Sequence, residues 1–184
     1  MSQPTQPFSQ LGHLATIALG ANMDSPIGSP AQTLSAAVED LRSLGELCAA
    51  SSIWLTPPVG YADQPHFHNA VVQLHTTFSP VLLLENLLRI EFSFGRNRSG
   101  SQTAPRNGPR SLDLDLILFD DLVLTTPTLT LPHPRFHLRA FVLLPLAEIA
   151  SQLIHPVTQL TIEDQLAALP AADRAACTRI PLQH

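Results

Sequence analysis

Apolar and polar positions along this chain change period several times, and each change marks an element. Residues 14–19 form a short apolar run bounded by Gly20, which predicts a first strand broken at that glycine. The GANMDSPIGSP that follows is turn chemistry. Leu34, Val38, Leu41 and Leu44 then recur at helical spacing, predicting a helix over residues 31–44 with Gly45 as its C-terminal cap. A second strand is expected over residues 48–55, stopped by Pro57 and Pro58, which cannot donate to a ladder. Residues 56–70 read as a loop with three prolines and two histidines, running into an alternating strand at 69–75. Ser79-Pro80 opens a second helix, with proline at the first helical position. Val81, Leu83, Leu84, Leu87, Leu88 and Ile90 give it a broad apolar face up to Gly95. After a long loop, Leu112, Leu114 and Leu116 alternate with Asp113 and Asp115 in a last strand.

Strand, helix, strand, strand, helix, strand is the βαββαβ order of an α+β, ferredoxin-like core, an antiparallel sheet with flanking helices expected here on one face. Residues 1–12 are Gln/Pro-rich and aperiodic, expected as a disordered extension, with residues 13–184 as one domain. The chain is 45% apolar with a net charge of −5, enough to bury a core, and its 17 prolines argue against a bundle or coiled coil. No apolar run approaches the ~18 residues of a membrane span, and none resembles a secretory leader, so a cytoplasmic protein is expected. Cys48 and Cys177 stand singly, without metal-site spacing, and read as inert packing residues.

There is no lysine; all ten formal positive charges are arginine. That removes the Walker A loop, the protein-kinase ATP site and Schiff-base catalysis, each of which uses a particular lysine. Codon composition is a sufficient cause of the bias. It does not explain why seven of the ten (Arg89, Arg96, Arg98, Arg106, Arg110, Arg135 and Arg139) fall between residues 89 and 139 of an acidic chain. Guanidinium concentrated on an acidic protein points to a small anionic ligand rather than nucleic acid. His66 and His68, two apart, permit a metal site in principle, but no third ligand of Cys or Glu type lies near them in the sequence. Asp113 and Asp115 share one strand face with their Cβ atoms roughly 6.5–7 Å apart. On the motif alone, acids on a wet face explain the pair equally well. Arginines just upstream shift the balance towards polyphosphate chemistry, with carboxylates holding divalent cations and guanidinium holding phosphate oxygens.

The stretch RNGPRSLDLDLILF closely resembles the signature of the 6-hydroxymethyl-7,8-dihydropterin pyrophosphokinases of folate synthesis. IALGAN, SSIWLTPPVGYADQPHFHNAVV, LLRIEFSFGRNR and LTLPHPRFHLRAFVLLPLAEIA continue the likeness in family order, over roughly residues 14–170. The resemblance implies magnesium-dependent transfer of pyrophosphate from ATP to the pterin hydroxymethyl group, with release of AMP. It implies two Mg2+ ions on Asp113 and Asp115, and catalytic roles for Arg96 and Arg110 beside these aspartates. Arg98, Arg106 and Arg110 match phosphate-binding positions, and Glu91, Thr130, His133 and Arg139 match positions along the nucleotide. For the pterin it implies backbone contacts from Thr56, Pro57 and Val59, an amide reading the pyrimidine edge at Asn69, and stacking by Phe67 and Phe141. A monomer working on two small substrates, without nucleic acid or membrane, is the corresponding expectation.

The chain departs from the family pattern at Asn107, where tryptophan is common, at Ser99, which replaces a basic residue, and by the insertion of GSQTA before Arg106. Ala21 and Phe67 stand for a common serine and tyrosine. A rival reading is a ferredoxin-like module that binds nucleotide and pterin with little catalysis. A metal-dependent phosphohydrolase is another; AMP formation that requires the pterin separates both from the kinase.

Overall fold

The computed structural model describes residues 12–60, 62–96 and 108–180. Arg98, Arg106, Ser99, Asn107 and nearly all of the expected N-terminal extension lie outside them. In chain order the elements are β1 (His13–Ala21), α1 (Pro30–Leu41), β2 (Glu46–Ala50), β3 (Ile53–Thr56), β4 (Phe67–Thr76), α2 (Pro80–Ser93) and β5 (Asp113–Phe119). A small hairpin of β6 (Leu124–Thr125) and β7 (Thr130–Leu131) follows, then α3 (Ala140–Ala150), α4 (Ile162–Ala168), α5 (Ala171–Ala175) and β8 (Thr178–Ile180).

The sheet is antiparallel in the order β5-β1-β4-β3-β8, with β2 also against β4. Taken together, β2 and β3 form the bent second strand of the expected βαββαβ core. The single strand expected over residues 48–55 divides at Ser51 and Ser52. Ser51 Oγ accepts from Val71 N–H at 2.9 Å, while Ser52 donates its N–H (3.2 Å) and Oγ–H (2.7 Å) to the Glu148 carboxylate. Serine side chains here compete with the ladder for backbone groups.

Both helix starts follow the capping rules that their sequences carry. Ser29 and Gln32 form a reciprocal capping box that brackets Pro30, and Ser79 caps α2 ahead of Pro80. The first helix stops at Leu41 and tightens into a 3-10 turn over Arg42–Leu44. Gly45 is extended, not left-handed. A Cβ there would meet the His75 carbonyl oxygen at 2.3 Å, so close approach to β4, not a cap, requires the glycine.

Helices cover both faces, not one. Leu34, Ala37, Leu41, Leu83 and Leu87 from α1 and α2 bury one face of the sheet with Ile17, Leu19, Val72 and Leu74. On the other face Val142, Leu143 and Leu146 of α3 pack with Val71, Ile117 and Phe136. The reason lies in the strands: successive residues Val71 and Val72 are both 0% exposed, and residues 116–119 run apolar without alternation, the pattern of a strand buried on both sides. Cys48, expected as packing, is exposed on β2, whereas Cys177 is half-buried against the α3 side. Among the described residues no helix is long and apolar enough to cross a membrane.

Beyond α3, His155 is 4% exposed and stacks on Phe136 at 5.1 Å, with His137 edge-on at 5.5 Å. Its Nδ1 accepts from the N–H groups of Val157 (3.1 Å) and Thr158 (3.3 Å), which requires the neutral ring. Burial and then the neighbouring His137 lower its pKa. An unfolded histidine titrates near ~6.5, so the unfolded chain takes the proton first and stability is lost as pH falls below that value. Urea titrations at pH 7 and pH 5.5 are expected to show a larger loss for the wild type than for His155→Asn, whose side chain keeps an acceptor but cannot titrate. Equal losses would show that this ring is not the sensor.

Candidate active site

One rung of the sheet lays out the site. Asp113 on β5, Gly20 on β1 and Asn69 on β4 are register partners, followed by Trp54 on β3. Direct cross-strand partners point to the same side, so carboxylate, bare backbone and amide stand in line on the face shared with α3. Asp115 lies one pleat further along, opposite Ala18. β1 runs through Gly20 to Ala21 rather than breaking there. The glycine is explained by space: a Cβ would stand 3.0 Å from Asn69 Oδ1 and 4.0 Å from Asp113 Cβ. Sequence reasoning misses it as a site residue because a glycine after an apolar run reads first as a strand terminator.

Above this floor is a cleft of about 280 Å³. It collects residues expected from distant parts of the chain: Thr56, Pro57 and Val59 after β3, Phe67 and Asn69 on β4, Asp113 and Asp115 on β5. Arg96 and Arg110 enter from either end of the segment between α2 and β5; His133 comes from just after β7, and Arg139 and Phe141 from the start of α3. Ala18, Gly20 and Val142 also line it and carry no polar side chain that a motif search would notice. Glu91 and Thr130 do not line it. Thr130 pairs with Thr125 in the hairpin, and Glu91 is buried behind the wall at 1% exposure.

Glu91 Oε1 accepts from Arg96 Nη1 at 2.6 Å and from Leu114 N–H at 2.8 Å, tying α2 to the start of β5. Arg96 also donates to the Leu112 carbonyl (3.2 Å) and to Asp113 Oδ1, and Arg110 donates to Asp113 Oδ2. Burial works to raise the Asp113 carboxyl, but the charges of Arg110 and Arg96 outweigh it and hold the group below the usual carboxylate range. Asp115 behaves oppositely. Burial, then repulsion from Asp113, pushes its carboxyl up to about 6 against the pull of Arg139. Burial also lowers His133, with the Arg139 and Arg135 charges adding to it, so its imidazole is neutral at pH 7. Its buried Nδ1 has no hydrogen-bond partner among the described residues. Asn69 Nδ2 donates to Thr56 Oγ1 at 2.8 Å, which fixes the plane of the amide. Guanidinium groups lie over both aromatic rings, Arg110 at 5.7 Å from the Phe67 centroid and Arg139 at 5.5 Å from that of Phe141.

The donor set suits a hard divalent cation, which takes carboxylate, phosphate and water oxygens. Asp115 has no hydrogen bond to its carboxylate among the described residues and is held against a second negative charge, a strain that a cation between the pair relieves. Two carboxylates alone do not fill a coordination sphere, and no cluster of three protein ligands occurs among the described residues. The remaining positions would fall to phosphate and water, as in nucleotide sites.

Residues 16–151 match the family described as 7,8-dihydro-6-hydroxymethylpterin-pyrophosphokinase (HPPK). The chain is 39% identical over 151 residues to the 2-amino-4-hydroxy-6-hydroxymethyldihydropteridine pyrophosphokinase of Haemophilus influenzae, covering 81% of this chain and 89% of that one. With the protein of the same description from Pseudomonas aeruginosa it shares 41% identity over 142 residues, 76% and 82% of the two chains. A solved structure of a Plasmodium falciparum HPPK-DHPS triple mutant with pteroate superposes with a TM-score of 0.68 at 15% identity. That likeness covers 92% of this chain but 47% of the other, and it concerns the fold.

Proposed function

The chain belongs to the 7,8-dihydro-6-hydroxymethylpterin-pyrophosphokinase family, enzymes of pyrophosphate transfer in folate biosynthesis, and on that premise we propose how its residues divide the work. ATP is the co-substrate. The acceptor is 6-hydroxymethyl-7,8-dihydropterin, and the products are the pterin diphosphate and AMP. Asp113 and Asp115 hold two Mg2+ ions, whose charge screens the triphosphate. Asn69 reads the pyrimidine edge, its plane set by Thr56, while Thr56, Pro57 and Val59 supply backbone contacts and Phe67 and Phe141 stack on the ring. His133 and Arg139 contact the nucleotide, with Arg98 and Arg106 assigned to the phosphates, and Thr130 lies along it. Glu91, assigned to the nucleotide by resemblance, acts by holding Arg96.

The observation that carries this reading is the doubly paired Asp113. In the structure its two oxygens accept from Arg96 and Arg110. Asp113 and Asp115 are the residues that would hold the cations screening the triphosphate, and Arg96 and Arg110, already beside Asp113, would turn their guanidinium groups to the phosphate oxygens. Charge that develops on the transferring group then meets donors already beside it. We extend the reading to a monomeric, cytoplasmic enzyme in which residues 13–184 act as one domain, without nucleic acid or membrane.

An assay with ATP and the hydroxymethyl dihydropterin is expected to yield AMP only when the pterin and magnesium are both present. Release of inorganic phosphate without the pterin would indicate a hydrolase instead. Asn69→Ala is expected to weaken pterin by about tenfold or more, on the order of one or two lost hydrogen bonds, and to leave ATP binding within about twofold. Calorimetry showing equal losses for both ligands would point to general destabilisation.

A further inference from the structure

Directly after β1, Asn22 is 3% exposed, and its amide is committed on three sides. Oδ1 accepts from the Arg110 N–H at 2.8 Å, while Nδ2 donates to Gln64 Oε1 at 3.0 Å and to the Pro65 carbonyl at 3.1 Å. The N–H groups of Asn22 and Met23 donate in turn to the Arg110 carbonyl at 3.0 and 3.2 Å. Both backbone polar groups of Arg110 are thereby fixed to the end of β1, with its guanidinium on Asp113 and over the Phe67 ring. Gln64 and Pro65 lead straight into Phe67 and Asn69 at the start of β4. One side chain therefore joins the entry to the proposed pterin strand with the arginine proposed to meet the transferring group. An amide alone suits the position, because it offers an acceptor to Arg110 and two donors to the 64–65 carbonyl oxygens; a carboxylate keeps the first and loses both others.

We infer that Asn22 is a positioning residue that couples pterin occupancy to the placement of Arg110. The inference rests on the pyrophosphokinase reading above. Pterin held by Asn69 and Phe67 fixes the 64–65 segment, Asn22 passes that constraint to the Arg110 backbone, and the guanidinium is set for transfer only when the acceptor is in place.

The test is pterin-dependent AMP formation by the full chain, in steady state and in a single turnover, for the wild type, Asn22→Asp, Asn22→Ala, Gln64→Ala and the Asn22→Asp/Gln64→Ala pair. Asn22→Asp cuts only the pterin-side bonds, so pterin KM is expected to rise by about tenfold with a smaller fall in kcat. Asn22→Ala also releases Arg110, and its single-turnover rate is expected to fall by about tenfold or more. Gln64→Ala raises pterin KM and adds little to Asn22→Asp, since the two share one hydrogen bond. Affinity for a non-hydrolysable ATP analogue stays within about twofold for Asn22→Asp, Gln64→Ala and their pair, which leave the Asn22–Arg110 bond in place. Three results would overturn the coupling: a wild-type single-turnover rate in Asn22→Ala, additive effects in the pair, or kcat and KM losses that merely follow a lowered thermal midpoint. If Asn22→Ala does not fold, Asn22→Asp and Gln64→Ala decide alone. Failure of the wild type to form AMP would instead sink the pyrophosphokinase reading, which the variants do not touch.

Discussion

Asp115→Asn is expected to abolish pterin-dependent AMP formation, by about 1,000-fold or more, while leaving the thermal midpoint unchanged or raised. The activity loss follows from removing a charged oxygen donor for the cation that screens the triphosphate, a contribution of several kcal/mol to the transition state. The stability sign follows from the same geometry read without ligand. Burial and the Asp113 charge push the Asp115 carboxyl up to about 6, so at pH 7 its ionised form opposes folding and a neutral amide removes the opposition. Asp113→Asn is expected to lose activity to the same degree but to cost stability, because Arg96 and Arg110 both rest on that carboxylate and are largely buried with it. Activity near the wild-type level in either folded variant would rule out the two-metal proposal. A fall in midpoint for Asp115→Asn as large as that for Asp113→Asn would show that the two carboxylates are not electrostatically distinct.

Arg110→Ala is expected to slow the chemical step by ~3 kcal/mol, or about 150-fold, the scale of removing one preorganised donor from a developing anion. Lysine should restore only part, since an ammonium cannot reproduce the fork that spans two oxygens. Arg110 is the cleaner of the two arginines to test. Arg96 also serves the buried Glu91 at 2.6 Å, so Arg96→Ala is expected to lower the thermal midpoint as well as the rate. Single-turnover measurement separates the roles: if Arg110→Ala raised only the apparent KM for ATP and left the transfer rate intact, the guanidinium would act in ground-state binding.

The order of strands and helices is legible because each of the first elements has one apolar period and a boundary signal of its own, such as the start at Ser79-Pro80 or the stop at Pro57-Pro58. The covering of the second face is harder to see, because its signals sit late in the chain: the unbroken apolar run at residues 116–119 and the wholly apolar start of α3. For the site, the Asp113/Asp115 pair and the arginines follow from spacing and charge. His133, Arg139 and the pterin contacts are reached through family resemblance, since no local pattern distinguishes them from turn and core residues. Glu91 has a local signal: it falls on the buried stripe of α2 one turn beyond Leu87, and a carboxylate on an apolar stripe must have a partner. Asn22 has none. It stands in a segment whose composition says only that the chain turns, and its partners lie 42 to 88 residues away.

The rung from Asp113 through Gly20 to Asn69 turns the sheet into a ruler. Neighbouring strands in a sheet are ~4.8 Å apart, so the backbone beneath the Asp113 carboxylate, proposed for metal, and the backbone beneath the Asn69 amide, proposed for the pterin, are separated by about 9.6 Å, two strand spacings. That span is held by ladder hydrogen bonds on both edges of β1 and does not depend on any side chain in the cleft. Substitutions along the walls change how tightly each substrate is gripped. They leave unchanged the distance between the gripping points, and with it the length of molecule that can reach from ring to phosphate.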